Sequence, residues 1–147
     1  MVTDKQKLGD FGENLISQNL SCPKCKKLKT LKKLPTNFKC ADIVCDFCGY
    51  LAQVKTKNTK NIDIVPKKIL GAAWAPQHER MQAGIYFPLF LVLKNAKEFS
   101  IFYLPADLQT EDIFVKRKPL SENAKRAGWQ GFYYDGHLVS RFITRLK

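Results

Sequence analysis

The sequence has no apolar run long enough to cross a membrane. Its longest, residues 85–93, spans nine residues and is interrupted by Pro88, whereas a spanning helix needs about 20. The N-terminus, Met-Val-Thr-Asp-Lys-Gln-Lys, lacks the apolar core of a secretory signal, so a cytoplasmic protein with no membrane partner is expected. No internal repeat, low-complexity tract or Pro/Ser-rich linker divides the 147 residues, a length suited to one domain, 1–147. Acids are scarce: 13 Asp and Glu against 25 Lys and Arg, a formal net charge of +12. That imbalance creates a field suited to a polyanion, with nucleic acid the expected partner. Lipid fits less well, because no amphipathic basic helix with a strong apolar face stands out. Charge alone does not separate DNA from structured RNA. A complete disulfide framework is disfavoured too, since five cysteines is an odd number.

Four of those cysteines fall into two pairs, Cys22-Pro-Lys-Cys25 and Cys45-Asp-Phe-Cys48-Gly49, separated by nineteen residues. Each CxxC puts two thiolates on one tight turn, and two turns complete a tetrahedral four-cysteine shell for Zn²⁺. Pro23 and Gly49 suit such turns, Gly because it tolerates positive φ. A structural zinc site within an insertion of about residues 20–49 is expected. Redox thiols are the alternative, but two pairs at this ribbon-like spacing argue for metal. Cys40 lies outside the pattern and reads as a small buried hydrophobe.

A composition of 45% hydrophobic and 12% aromatic residues is that of a folded chain. Leu8, Phe11, Leu15 and Ile16 recur at helical spacing and predict a helix over 3–20, capped by Thr3 or Asp4. Strands are predicted over 38–44 and 50–56, forming a hairpin across the second CxxC. A helix over 67–83, kinked near Pro76, should follow, then strands over 85–93, 99–104 and 131–134. This order predicts an α/β or α+β fold with a central mixed sheet flanked by helices.

If the hairpin pairs as expected, Asp42 lies near Gln53 and Lys55, which are two residues apart and share a strand face. An acid, a second oxygen ligand and a lysine on one face suit a Mg²⁺- or Mn²⁺-dependent phosphodiesterase. Asp42 and Gln53 would hold the metal, which polarises the phosphate and acidifies water. Lys55 would orient water or offset charge on the phosphate. Lys57, Lys60, Lys67 and Lys68 could grip phosphates beside the cut, as could a second cluster of Arg117, Lys118, Lys125 and Arg126. Trp74 and Trp129 could meet bases but read first as packing residues, and His78 has no obvious partner.

Asp42…Gln53-Val-Lys55 resembles the PD-(D/E)XK motif of restriction-type nucleases in a D…QxK form. Leu8-Gly-Asp-Phe-Gly-Glu13 resembles the helix that often adds an acid, Glu13, to these sites. The likeness narrows to the DpnI and Dam-replacing family, whose namesake cuts adenine-methylated DNA. It rests on the CPxC turn nine residues after Glu13, on Ala41-Asp-Ile-Val-Cys-Asp-Phe-Cys, and on Gln53 eleven residues past Asp42. The segment Lys116-Arg-Lys-Pro-Leu-Ser-Glu-Asn-Ala-Lys-Arg-Ala-Gly-Trp129 completes it. The resemblance implies a restriction-endonuclease-like fold and a Mg²⁺-dependent endonuclease for double-stranded DNA, with a short, adenine-methylated target. Two departures bear on this. Gln53 stands where the family has Glu, which implies weaker metal binding or a catalytically dead relative. Family enzymes also carry a C-terminal winged-helix domain that reads DNA, so here any sequence or methyl preference is expected from the catalytic domain or is lost, unless a separate DNA-reading partner supplies it. A homodimer would suit cutting of both strands. The competing expectation is a zinc-ribbon nucleic-acid-binding protein without catalysis, which would hold DNA equally well with Mg²⁺ or EDTA and leave it whole.

Overall fold

A computed structural model describes residues 3–35, 38 and 40–147. The first helix, α1 (Asp4–Asn19), starts at a capping box. Thr3 Oγ1 accepts from the Gln6 N–H at 3.2 Å, and Gln6 Oε1 accepts from the Thr3 N–H at 2.9 Å, which satisfies two otherwise orphaned donors. Two short strands follow, β1 (Leu31–Lys33) and β2 (Ile43–Cys45), then the longer β3 (Leu51–Asn58). Beyond them come β4 (Lys68–Ala73), α2 (Trp74–Gln82), β5 (Leu89–Lys94) and β6 (Phe99–Leu104). Two 3₁₀ turns lead into β7 (Phe114–Lys116), β8 (Gly131–Asp135), α3 (Gly136–Val139) and β9 (Thr144–Arg145).

The strands form a six-stranded mixed sheet, β1-β2-β3-β5-β6-β9, and a three-stranded antiparallel sheet, β4-β8-β7. In the larger sheet β3 and β5 run parallel, and the crossover between them carries β4 and α2. The segment Leu89 to Leu93 is wholly buried, as expected of a strand covered on both faces. Its alternation divides two cores. Phe90 and Val92 join Ile16, Leu20, Ala52 and Val54 beneath α1, whereas Leu89, Leu91 and Leu93 pack with Phe114, Phe132 and Tyr134 of the smaller sheet. Because Gln53 pairs with Leu89 and Lys55 with Leu91, both side chains belong to the face between the two sheets.

Three expectations need correction. Strand 38–44 is only Ile43–Cys45, because Cys40 sits at φ 66°, outside the extended region; residue 39 lies outside the described residues. The helix over 67–83 is a strand, β4, followed by α2, with Pro76 inside the first helical turn, where a missing N–H costs little. The strand expected from residue 85 begins at Leu89, past Pro88, whose carbonyl accepts from the Gln53 N–H. Among the described residues no helix is long and apolar enough to cross a membrane.

Candidate active site and metal centre

The cysteine pairs close at the turn of the β2–β3 hairpin. The sulfurs of Cys22 and Cys48 lie 3.6 Å apart and those of Cys25 and Cys45 3.7 Å apart. All four fall within 4.8 Å of one another. Tetrahedral zinc with Zn–S bonds of about 2.3 Å would set its sulfurs about 3.8 Å apart, so the cluster can hold a metal such as zinc. The backbone already presents donors to it: the Lys24 N–H points at Cys22 Sγ and the Cys48 N–H at Cys45 Sγ. The two turns share a backbone form, since the residue after each pair, Lys26 at φ 67° and Gly49 at φ 78°, is left-handed.

The same hairpin builds the second site. Asp42 precedes β2, and its Oδ2 accepts from the Val54 N–H at 2.7 Å. The hairpin thereby clamps one carboxylate oxygen. Asp42, Gln53 and Lys55 line a single pocket of about 230 Å³ whose opposite wall is Ala73, Pro76, Gln77 and Phe132. The three residues picked out from spacing thus meet in one cleft between the two sheets.

Glu13 joins from α1. Gly12 lies so close to β3 that a Cβ there would fall 1.8 Å from Thr56 Oγ1, and this approach brings the adjoining Glu13 within electrostatic range of Asp42 and Lys55. Desolvation, and then the charge of Asp42, push the Glu13 carboxyl up to about 7, with Asp10 adding to the rise and Lys33 and Lys55 opposing it. Two acids and a lysine therefore sense one another at this point.

No sequence motif marks Tyr134. It lies 81 residues from Gln53, is 1% exposed, and donates its hydroxyl hydrogen bond to Gln53 Oε1. Burial raises its pKa, and Asp42 contributes next, so the hydroxyl stays a donor. Only knowledge that β8 faces β3 could have found it.

The basic residues separate into groups. Lys57, Lys67 and Lys68 are exposed at the far end of β3, where Lys57 Nζ donates to the Lys68 carbonyl at 3.2 Å. Lys60 is exposed on the loop beyond, towards Lys94. Arg117, Lys118, Lys125 and Arg126 occupy the exposed β7–β8 loop. That loop meets the cleft end of the smaller sheet, where the Trp74 N–H donates to the Gln130 carbonyl. Trp129 is half-buried beneath Arg126, whose guanidinium lies 4.5 Å from its ring centre. Trp74 packs on the second core and stacks with His78 at 5.1 Å. Both tryptophans serve as packing residues in this arrangement.

A model of the DpnI Dam-replacing family matches residues 2–139. The chain belongs to the Dam-replacing family. Membership suggests a nuclease-like protein that acts on DNA, consistent with its net charge of +12. The matched region contains both cysteine pairs, the cleft and the basic β7–β8 loop.

Proposed function

We propose that the chain, as one nuclease unit of the PD-(D/E)XK type, is a Mg²⁺- or Mn²⁺-dependent endonuclease that hydrolyses phosphodiester bonds in double-stranded DNA. The observation that carries this is the meeting of Asp42, Gln53 and Lys55 in one cleft, with Glu13 electrostatically coupled to Asp42 and Lys55. The donor set fits a hard cation. Asp42 has one oxygen held by Val54 and one left over, and the Gln53 carbonyl oxygen retains a lone pair beyond that used by Tyr134. When bound by these residues, the metal would polarise a phosphoryl oxygen and lower the pKa of water. The Lys55 ammonium, which lines the same cleft, would offset charge that builds on the phosphate during attack. Glu13, with its raised pKa, can take or hold a proton near neutrality.

Tyr134 fixes the Gln53 amide, so the neutral residue that replaces the family's Glu is still presented in one orientation. Gln53 carries no charge, and a higher metal concentration is the expected consequence. A target containing N6-methyladenine is supported by the family alone. The test is incubation of adenine-methylated and unmethylated plasmid with Mg²⁺, Mn²⁺ or EDTA, beside Lys55→Ala. Divalent-dependent cutting that the variant loses supports the proposal. Binding without cutting under every condition favours a protein that kept DNA affinity and lost its chemistry.

A further inference from the structure

The first zinc knuckle contains a feature that metal binding does not require. Residues 24–33 hold six lysines and no acid. All six are exposed, and of these Lys33 is paired with Asp10 at 3.2 Å. Two of the others occupy left-handed backbone: Lys26 at φ 67° and Lys29 at φ 60°. A side chain with a Cβ is disfavoured there, and glycine adopts the conformation freely. The second knuckle follows that preference, with Gly49 at φ 78° in the position that corresponds to Lys26. The first knuckle thus carries an exposed ammonium where the second has no side chain. Phe47 and Leu28 at the knuckle tips are 63% and 73% exposed, and Lys27 Nζ stands 4.1 Å from the Phe47 ring centre. A rigid, basic and partly apolar tip is what a phosphate-sugar backbone accepts.

The cysteine cluster ties this turn to the strand that carries the cleft residues. Gly49 and Tyr50 lead directly into β3, which carries Gln53 and Lys55 and ends near Lys57 and Lys68. At about 3.3 Å per residue, the stretch from Tyr50, just after the second cysteine pair, to Lys55 is about 17 Å. That is about half a turn of duplex. Lys26 and Lys29 themselves lie on the first pair's turn, beside residues of the C-terminus and of α1 respectively. We propose that the lysine-rich knuckle, through Lys26 and Lys29, is a phosphate-gripping arm for the same DNA duplex whose backbone enters the cleft. Lys57 and Lys68 hold that duplex on the far side of the cut. The inference rests on the nuclease reading for its substrate but not for its readout.

The test is the double substitution Lys26→Gly and Lys29→Gly in the zinc-loaded full chain. Binding of a labelled 30-base-pair duplex would be followed by anisotropy in EDTA-free buffer without Mg²⁺, from 50 to 200 mM salt. The variant should fold at least as well as the parent. It should bind roughly tenfold more weakly at low salt, with the slope of log affinity against log salt reduced by about two. Unchanged affinity and slope would overturn the inference. So would unchanged DNA binding with loss of zinc, since the lysines would then serve the charge of the four-thiolate site. Plasmid cutting by the parent, lost in Lys55→Ala, reports separately on the nuclease reading.

Discussion

Asp42 is tied across the hairpin to Val54, its Oδ2 accepting the buried backbone N–H at 2.7 Å. One carboxylate oxygen therefore closes the β2–β3 pair, while the residue also lines the cleft where we propose that it holds metal. Asp42→Asn keeps an acceptor for Val54 but removes the charge, whereas Asp42→Ala leaves the N–H unsatisfied. The first variant should retain its thermal midpoint and lose DNA cleavage. The second should lose cleavage and also about 1–3 kcal/mol of stability, the cost of a buried unpaired donor. Denaturant melts beside a plasmid-nicking assay separate the two. Full nicking by Asp42→Asn would remove Asp42 from the chemistry.

The Tyr134 hydroxyl and the Gln53 amide form a second such pair. Tyr134→Phe removes the donor without opening a cavity, so its stability cost should stay near 1 kcal/mol. Gln53 then loses its fixed orientation, and the Mg²⁺ concentration for half-maximal cutting should rise severalfold with a smaller change in the maximal rate. Gln53→Glu should shift the metal requirement in the opposite direction, because it adds a charge to the ligand set. Complete inactivity of Gln53→Glu across a Mg²⁺ and Mn²⁺ titration would mean that position 53 is not a ligand.

What was legible in the sequence was local in the chain. The cysteine pairs, the D…QxK register and the capped first helix each lie within a short window, where spacing translates directly into geometry. What escaped depends on distant partners. Gly71 fell within the helix expected over 67–83, yet it lies in a strand beneath Phe132, where a Cβ would fall 2.3 Å from the ring. That packing becomes visible only once β8 is paired with β4. Tyr134 escaped for the same reason. Glu13 was legible only as a motif. Its physical basis is Gly12, which lets α1 approach Thr56 closely enough for the acid to feel the charges of Asp42 and Lys55.

The cysteine cluster joins α1's exit to the hairpin that carries Asp42, so metal loss should reach the cleft. Cys45 is buried and at the strand end. Cys45→Ser should reduce zinc stoichiometry and lower the thermal midpoint, because binding energy at a structural site is folding energy. A strong chelator should do the same to the parent protein. A variant that holds no zinc yet melts where the parent does would show that the site is dispensable for folding.

Glu13 supplies a pH dependence whose sign follows from its environment. Its carboxyl titrates near the ordinary 4.5 in the unfolded chain and at about 7 in the folded protein, raised by desolvation and then by Asp42. Between these values the folded state holds the extra proton. Stability from this group is therefore complete below about 4.5 and lost as pH rises through 7. Glu13→Gln keeps the shape and removes the ionisation. Since the group is only half-buried, screening limits the effect. Without Mg²⁺, the parent's midpoint should fall by roughly 2–4 °C more than the variant's between pH 5.5 and 8. Added Mg²⁺ should restore more of the parent's midpoint at pH 8 than of the variant's, since a cation shared with Asp42 relieves the repulsion between the two acids. Parallel pH profiles for the two proteins would place Glu13 in open solvent, away from Asp42, and remove it from the site.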